Sequence, residues 1–203
     1  MISVVNYGIG NVQSVLNALE HLGIAARPVG NPAELDGAER ILLPGVGAYG
    51  QAMARLNERG LSDALRDAVL VRKRPILGIC LGMQLLADEG TEFGVTRGLG
   101  LLPGRVEAID VGRSGLKLPH IGWNDLKPVR DTKLLAGLPE NATCYYAHSF
   151  VYAPNDGESV KAVTDYGGPL VAVVASGNVW GTQFHPEKSQ EVGMTILRNF
   201  AAL

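Results

Sequence analysis

One stretch decides the fold of this chain: Arg74-Pro75-Ile76-Leu77-Gly78-Ile79-Cys80-Leu81-Gly82-Met83-Gln84-Leu85-Leu86-Ala87. A proline followed by apolar residues predicts a short buried strand over 75–79, and residues 83–87 predict a helix. A Cys between two glycines at a strand-to-helix turn is the layout of a nucleophile elbow, because glycine lets the backbone turn sharply. The N-terminus of the helix favours the thiolate, which is the reactive form. The competing interpretation is a buried structural Cys, since free cysteines are among the most buried residues.

A candidate base lies near the end of the chain, in Val179-Trp180-Gly181-Thr182-Gln183-Phe184-His185-Pro186-Glu187. This pattern is typical of a strand that ends in His-Pro-Glu. Residues two apart on a strand point to the same face, roughly 7 Å apart, so Glu187 can orient the His185 imidazole. Taken alone, the segment is better explained by a strand-end His and a solvated Glu. Together with the elbow it predicts covalent acyl transfer by a nucleophile, a base and an orienting carboxylate.

A glycine-rich turn, Pro44-Gly45-Val46-Gly47, follows another short apolar segment at 40–43. Backbone N–H groups of such a turn can point at an oxyanion. The amide of Val46 or Gly47 would be one donor, and the amide of Leu81 the other. A plain strand-to-helix loop is the simpler interpretation of this segment by itself.

These three motifs, in this order, resemble the triad-type (class I) glutamine amidotransferases. Two further segments narrow the resemblance: Asn6-Tyr7-Gly8-Ile9-Gly10-Asn11 near the start and Pro119-His120-Ile121-Gly122-Trp123-Asn124 in the middle. With the ending Gln183-Phe184-His185-Pro186-Glu187-Lys188-Ser189, they are similar to the glutaminase subunits of imidazole glycerol phosphate synthase, from histidine biosynthesis. The resemblance covers essentially the whole chain.

The resemblance implies that the substrate is L-glutamine, which is hydrolysed to glutamate and ammonia. Cys80 would be the nucleophile, His185 the acid and base, and Glu187 the residue that orients His185. The substrate contacts that it implies are Gly47 and Gln84, then Glu92 for the α-ammonium, and the backbone of Ser149 and Phe150 for the carboxylate.

The resemblance also implies a partner, a (β/α)8-barrel cyclase that receives the ammonia through an internal channel and makes imidazole glycerol phosphate and AICAR. We expect a heterodimer with Asn11, Trp123, Tyr145 and Lys188 at or near its interface. The isolated chain should have little activity, because the Gly45-Val46-Gly47 turn is flexible enough to hold its amides out of register until the cyclase binds its own substrate.

Composition agrees with an enzyme of small molecules. The chain has 203 residues, 46 % of them hydrophobic, and a formal net charge of −2, so nothing points to nucleic acid or to an anionic membrane. Two cysteines imply no disulfide framework. The chain begins with an apolar strand and shows no leader and no run of membrane-spanning length, which predicts a cytoplasmic protein.

The alternation of strands and helices in the first half predicts an α/β fold with three layers, a mostly parallel central sheet and flanking helices. Strands are predicted at 2–5, 25–29, 40–43 and 75–79, and helices at 11–21 and from an N-cap at Ser62. The second half predicts an antiparallel extension, with strands at 105–109, 143–148, 160–164 and 170–174, and a closing helix at 191–203. We expect a single domain over 1–203.

Other kinds of site find little support. Gly8-Ile9-Gly10-Asn11-Val12-Gln13 lacks the third glycine of a dinucleotide fingerprint. Cys144 and His148 would lie about 13 Å apart on one strand, too far for a catalytic pair. The four histidines show no paired ligand spacing, so neither a metal nor a cofactor is expected.

Three alternative functions stay open at this stage. The chain could serve anthranilate, guanylate or pyridoxal phosphate synthesis as an ammonia-donor subunit. It could be a silent binding module that kept the fold, although Cys80, His185 and Glu187 are all present. It could also be a cysteine peptidase of similar architecture.

Overall fold

The computed structural model describes residues 1–112 and 115–203. Within these residues the helices are α1 (Val12–His21), α2 (Pro32–Leu35), α3 (Tyr49–Glu58), α4 (Leu61–Arg66), α5 (Leu81–Leu85) and α6 (Gln190–Ala202). The strands of the first half are β1 (Ile2–Val5), β2 (Ala26–Val29), β3 (Arg40–Gly45), β4 (Ile76–Cys80), β5 (Ala87–Gly90), β6 (Thr96–Arg97) and β7 (Leu102–Ala108). The strands of the second half are β8 (His120–Asp125), β9 (Lys127–Pro128), β10 (Thr143–His148), β11 (Phe150–Pro154), β12 (Val160–Asp165), β13 (Pro169–Ser176) and β14 (Val179–Thr182).

The central sheet has eight strands in the order β2-β1-β3-β4-β14-β13-β12-β9. The strands from β2 to β14 pair in parallel, and β13, β12 and β9 continue the sheet antiparallel. A four-stranded sheet, β11-β7-β5-β6, and the pair β10-β8 complete the fold. The predicted parallel sheet with an antiparallel second half is therefore confirmed, and much of the antiparallel part belongs to the central sheet itself.

Helices cover both faces of the parallel strands, which explains why these strands are apolar along their whole length. Alternate residues of β3 enter two separate cores: Ile41 and Leu43 pack on the side of α3 and α4, and Leu42 packs on the side of α1 and α6. The result is the predicted arrangement of three layers.

The parallel arrangement brings three loops to one edge of the sheet. Gly45, the last residue of β3, is the register partner of Cys80, the last residue of β4. On the other side of β4, Thr182 at the end of β14 pairs with Ile79. The segments that follow these three strands are the three that the sequence singles out.

The structure corrects several local predictions. The helix at 83–87 is instead α5, Leu81–Leu85, and Ala87 already begins β5. Ser62 is not an N-cap: α4 begins at Leu61 after Gly60, and the Ser62 hydroxyl donates to Asn57 at 2.5 Å. The remainder of that helix, Asp67–Val71, is a π-helical turn.

The predicted strand through His185 is also wrong. The strand β14 ends at Thr182, and Pro186–Lys188 forms a 3₁₀ turn because proline cannot donate to a sheet ladder. No helix within the described parts of the chain is long and apolar enough to cross a membrane.

Candidate active site

The turn between β4 and α5 holds Cys80 in a backbone conformation that residues other than glycine rarely adopt, with φ of 54° and ψ of −114°. The flanking glycines make this turn possible. A Cβ at Gly82 would lie 1.7 Å from the Leu43 carbonyl oxygen, and one at Gly78 would lie 2.6 Å from the backbone of Met83. No side chain fits at either position, so β4, α5 and β3 pack backbone against backbone. This strained strand-to-helix turn is the geometry of the predicted nucleophile elbow.

His185 and Glu187 meet although neither lies on a strand. His185 Nδ1 lies 2.8 Å from Glu187 Oε1, and the two side chains are 4 % and 2 % exposed. The backbone holds the turn in place, because His185 N–H donates to the Tyr145 carbonyl and the Ser189 hydroxyl donates to the His185 carbonyl. The predicted pair is present, and the tight turn brings its members closer than the spacing on a strand would.

Hydrogen bonds raise the pKa of this imidazole. Burial by itself lowers the pKa of His185, but its hydrogen bonds with the Cys80 side chain and Glu187, together with the attraction of both negative groups, raise it to about 10. His185 thus lies between the Cys80 sulfur and the Glu187 carboxylate, and its contacts with both favour the protonated imidazole. An imidazole that hydrogen-bonds a sulfur on one side and a carboxylate on the other is the arrangement used by cysteine nucleophiles.

Two further groups contact the sulfur. Cys80 Sγ lies 3.8 Å from the Ala147 carbonyl oxygen, to which the thiol form can donate. Gln183 Nε2 donates to Sγ at 3.8 Å, and it can do so to the thiol or to the thiolate. Gln183 is fully buried directly after β14, two residues before the base.

A cavity of about 350 Å³ opens beside Cys80. Its walls include every residue that the sequence analysis assigns to catalysis, oxyanion binding or substrate binding except Glu187, namely Val46, Gly47, Cys80, Leu81, Gln84, Glu92, Ser149, Phe150 and His185. Pro119, Ala147, His148 and Lys188 complete the lining. The fold thus brings predicted site residues from five separate stretches of sequence into one pocket.

Two pocket residues have partners that the sequence does not indicate. Glu92 Oε2 accepts from the backbone N–H of Tyr49 at 2.7 Å, which leaves its other oxygen for a ligand. Gln84 Nε2 donates to the Phe150 carbonyl at 2.9 Å and to Gln183 Oε1 at 3.0 Å. Gln84 is therefore fixed within the pocket wall, and it is not a helix surface residue.

Tyr7 is a buried residue behind the glycine-rich turn that the sequence analysis does not assign to the site. Its hydroxyl has no hydrogen-bond partner among the described residues, and it lies 2.8 Å from where a Cβ of Gly45 would be. Burial, and then the negative charge of Cys80, raise the pKa of Tyr7 well above its usual range, so the phenol stays neutral.

Three of the four predicted interface residues lie together beside the pocket. The rings of Trp123 and Tyr145 meet edge to face with centroids 6.2 Å apart, and Lys188 Nζ lies 5.7 Å from the Tyr145 centroid. The Trp123 residue is 48 % exposed. Asn11 accepts from the Ser14 N–H as the N-cap of α1, the helix that contacts the Pro186–Lys188 turn.

Sequence spacing does not relate His120 to His148, but the structure brings them together. They are register partners in β8 and β10, with His120 Nδ1 3.0 Å from His148 Nε2. Strand register is what pairs them, and a single sequence does not fix the register of two strands that lie 28 residues apart. Among the described residues, no group of three or more His, Cys, Asp or Glu side chains could hold a metal ion. Cys144 is fully buried in the core.

Comparison with known proteins places this geometry in a family. The profile of the family "Glutamine amidotransferase class-I" matches residues 3–203. Among curated proteins, "Imidazole glycerol phosphate synthase subunit HisH" of Desulfitobacterium hafniense is 47 % identical over 200 residues, which cover 98 % of this chain and 93 % of that protein. The protein of the same name from Bdellovibrio bacteriovorus is 45 % identical and is covered completely, as is this chain.

Solved structures share the fold at lower identity. One described as "Crystal structure of glutamine amidotransferase" has a TM-score of 0.78 at 24 % identity, with both chains covered completely. A chain from "Structure of PurLQS from Thermotoga maritima" has a TM-score of 0.76 at 26 % identity, and 98 % of this chain and 96 % of that chain are covered.

Proposed function

We propose a function from one premise: this chain belongs to the class-I glutamine amidotransferase family. It is a glutaminase, the subunit of imidazole glycerol phosphate synthase that releases ammonia from glutamine for histidine biosynthesis. The observation that carries this function is the buried contact of His185 Nδ1 with Glu187 Oε1 at 2.8 Å, at a cavity whose wall holds both His185 and Cys80.

The proposed reaction has two halves. The Cys80 thiolate attacks the side-chain carboxamide carbon of glutamine, and the His185 imidazolium gives its proton to the departing ammonia, which leaves a glutamyl thioester. His185 then removes a proton from water, the resulting hydroxide attacks the thioester, and glutamate and the thiolate are released with the proton back on His185. Glu187 keeps Nδ1 protonated and His185 turned toward the sulfur.

Charge on the carbonyl oxygen develops next to backbone amides. Leu81, Val46 and Gly47 line the same cavity as Cys80, and we assign the oxyanion to the Leu81 amide and one amide of the glycine-rich turn. Losing one such donor costs roughly 3 kcal/mol of barrier, or about two orders of magnitude in rate. Gly47 has φ of 88°, a conformation that suits glycine, so the turn depends on this residue.

The substrate assignments follow the charges of the pocket. Glu92 offers a carboxylate oxygen to the α-ammonium of glutamine, and the backbone of Ser149 and Phe150 lies on the wall that would hold the carboxylate. Gly47 and Gln84 line the same cavity, and we assign them to the contacts with the bound glutamine.

The chain acts as a subunit of a complex, and we propose that its partner is the (β/α)8-barrel cyclase. Exposed apolar side chains at the rim of the cavity support a docking surface there: Leu118 is 40 % exposed, Ile121 61 % and Trp123 48 %. Ile121 pairs with Ala147 and Leu118 precedes Pro119, and both Ala147 and Pro119 line the cavity. Ammonia released at Cys80 would then pass directly into the partner, and the complex would form in the cytoplasm.

One assay tests this function. The chain is mixed with the barrel cyclase and the cyclase substrate, and glutamate is measured. We expect glutamine hydrolysis that depends on the liganded cyclase and is abolished by Cys80→Ala, while Cys144→Ala, a change at the other buried cysteine, retains it. Substantial glutamate release by Cys80→Ala would contradict the role of Cys80, and equal turnover without the cyclase would contradict the coupling.

A further inference from the structure

His148 in the pocket wall lies against a second histidine, His120, and the proposed reaction uses neither. His120 and His148 are 3 % and 6 % exposed, and their nearest ring nitrogens are 3.0 Å apart. The ring of His120 is stacked between Tyr146 and Tyr166, with centroid distances of 4.8 Å and 4.1 Å. The two tyrosine rings therefore fix the plane of the His120 imidazole.

Backbone groups fix the direction of the hydrogen bond between Asn124 and His120. Asn124 Oδ1 accepts from the Asp125 N–H at 2.8 Å, and Asn124 Nδ2 donates to the Asp165 carbonyl at 2.9 Å. The amide therefore has a single orientation, because an N–H can only donate and a carbonyl can only accept. The same Nδ2 lies 3.1 Å from His120 Nε2, so this Nε2 accepts and the proton of His120 is on Nδ1.

The same reasoning gives the direction of the hydrogen bonds from His120 to His148 and from His148 to Phe150. His120 Nδ1–H donates to His148 Nε2, so the proton of His148 is also on Nδ1, and it donates to the Phe150 carbonyl at 2.8 Å. A proton added to Nε2 of either ring would face another donor. Burial lowers the pKa of both histidines, that of His148 to about 4, which agrees with two neutral rings.

The Phe150 carbonyl joins this series of hydrogen bonds to the site. It accepts a second hydrogen bond from Gln84 Nε2, which also donates to Gln183 Oε1. Gln183 in turn donates to the Cys80 sulfur. The orientation of one peptide group thus depends on His148 from one side and on the glutamines beside the nucleophile from the other.

We propose that His120 is a positioning residue for this site: it fixes the tautomer of His148 and thereby the orientation of the Phe150 carbonyl. The inference rests on the proposed function, because that function assigns the Ser149 and Phe150 backbone to the carboxylate of glutamine. Only N–H groups can donate to a carboxylate, so the Phe150 carbonyl acts indirectly, by fixing the backbone of the residue whose N–H would donate. If His148 took the other tautomer, a lone pair on Nδ1 would face the carbonyl oxygen and push the peptide group away. Loss of His120 therefore weakens glutamine binding more than it slows the chemical step.

The first test needs no variant and no activity. Nitrogen-15 NMR of the histidine rings in the intact chain reports the tautomer and charge of each imidazole. We expect neutral rings with the proton on Nδ1 for His120 and for His148 at neutral pH. A proton on Nε2 of either residue, or an imidazolium, would overturn the proposal.

The second test uses His120→Phe, which keeps an aromatic ring between Tyr146 and Tyr166 but removes both nitrogens. Tyr166→Phe is the matched control, because it keeps the ring that stacks on His120 and leaves the hydrogen bonds between His120, His148 and Phe150 intact. In the complex with the barrel cyclase, we expect His120→Phe to raise the KM for glutamine roughly tenfold, as the loss of one buried hydrogen bond does. We expect kcat to change much less.

A merely structural role predicts a different pattern, in which His120→Phe unfolds more easily but the folded fraction keeps the wild-type KM. That result, or the same KM increase in Tyr166→Phe, would overturn the proposal. Labelling of Cys80 by diazo-oxo-norleucine, an analogue of glutamine, distinguishes a failure of the proposed function from a failure of the positioning role of His120. If the wild-type cysteine does not react in the complex, the proposed function fails. The tautomers measured by NMR then still test whether His120 fixes the tautomer of His148.

Discussion

The carboxylate of Glu92 accepts a hydrogen bond from the backbone N–H of Tyr49 at 2.7 Å, across 43 residues of sequence. Tyr49 is the first residue of α3, the helix that follows the glycine-rich turn, and Ala48 before it provides no side-chain cap. Glu92 therefore caps the helix from a distant loop, and it also faces the cavity. One carboxylate serves both the helix and the proposed ammonium site.

These two roles of Glu92 can be separated by two substitutions. Glu92→Gln keeps an oxygen for the Tyr49 N–H but removes the charge, so we expect a higher KM for glutamine with little change in the free energy of unfolding. Glu92→Ala removes both roles and should also lower that free energy by ~1 kcal/mol, the usual value of a cap. Steady-state kinetics and urea unfolding measure the two effects, and an unchanged KM in both variants would contradict the ammonium assignment.

Unlike the Glu92 carboxylate, the buried hydroxyl of Tyr7 has no hydrogen-bond partner among the described residues. Tyr7→Phe removes this hydroxyl and leaves the ring in place. Because a buried hydroxyl without a hydrogen bond destabilises the fold, we expect the free energy of unfolding to rise by about 1 kcal/mol. Urea unfolding at neutral pH tests this, and a loss of stability would mean that the hydroxyl has a partner.

The carboxylate of Glu187 should control both the rate and the pH dependence of stability. Glu187→Gln keeps the hydrogen-bond geometry and removes the charge, so we expect kcat to fall roughly 100- to 10,000-fold, as for carboxylate-to-amide changes in related triads. The matched control is Glu191→Gln, an isosteric change at the start of α6.

The pH dependence has a definite sign. A pKa that is raised in the folded state gives stability that is fully present below the unfolded pKa of His, about 6.5, and is lost as the pH rises. For His185 the loss should continue through about pH 10. Urea unfolding as a function of pH should show this decline in the wild type, and in Glu187→Gln the decline should be smaller and should end at a lower pH. Identical curves would contradict the pairing of His185 with Glu187.

The chemistry of this site could be predicted from the sequence better than its local geometry. The Gly-x-Cys-x-Gly motif alone fits a buried structural Cys as well as an elbow, and the other motifs of the chain decide for the elbow. The cavity contains nearly all the residues assigned to it. The turn at His185 was not predictable, because an apolar segment that ends in His-Pro-Glu fits a strand as well as a tight turn. Both arrangements place His185 and Glu187 on one side, so the functional prediction did not depend on the choice.

What the sequence could not reveal depends on contacts between distant segments. Gln183 is quoted in the motif around the base, but only the packing of β14 beside β4 brings it to the Cys80 sulfur. The pairing of His120 with His148 depends on the register of β8 and β10, and the cap that Glu92 provides depends on a loop that reaches α3. Periodicity and motif spacing carry no information on such contacts.

The most direct measurement of the central claim is to map where a glutamine analogue reacts. The chain, in complex with the barrel cyclase and its substrate, is treated with diazo-oxo-norleucine, and its peptides are analysed by mass spectrometry. We expect one adduct on Cys80, none on Cys144, and protection by excess glutamine. An unmodified Cys80 in the saturated complex, or an adduct on Cys144 instead, would contradict it.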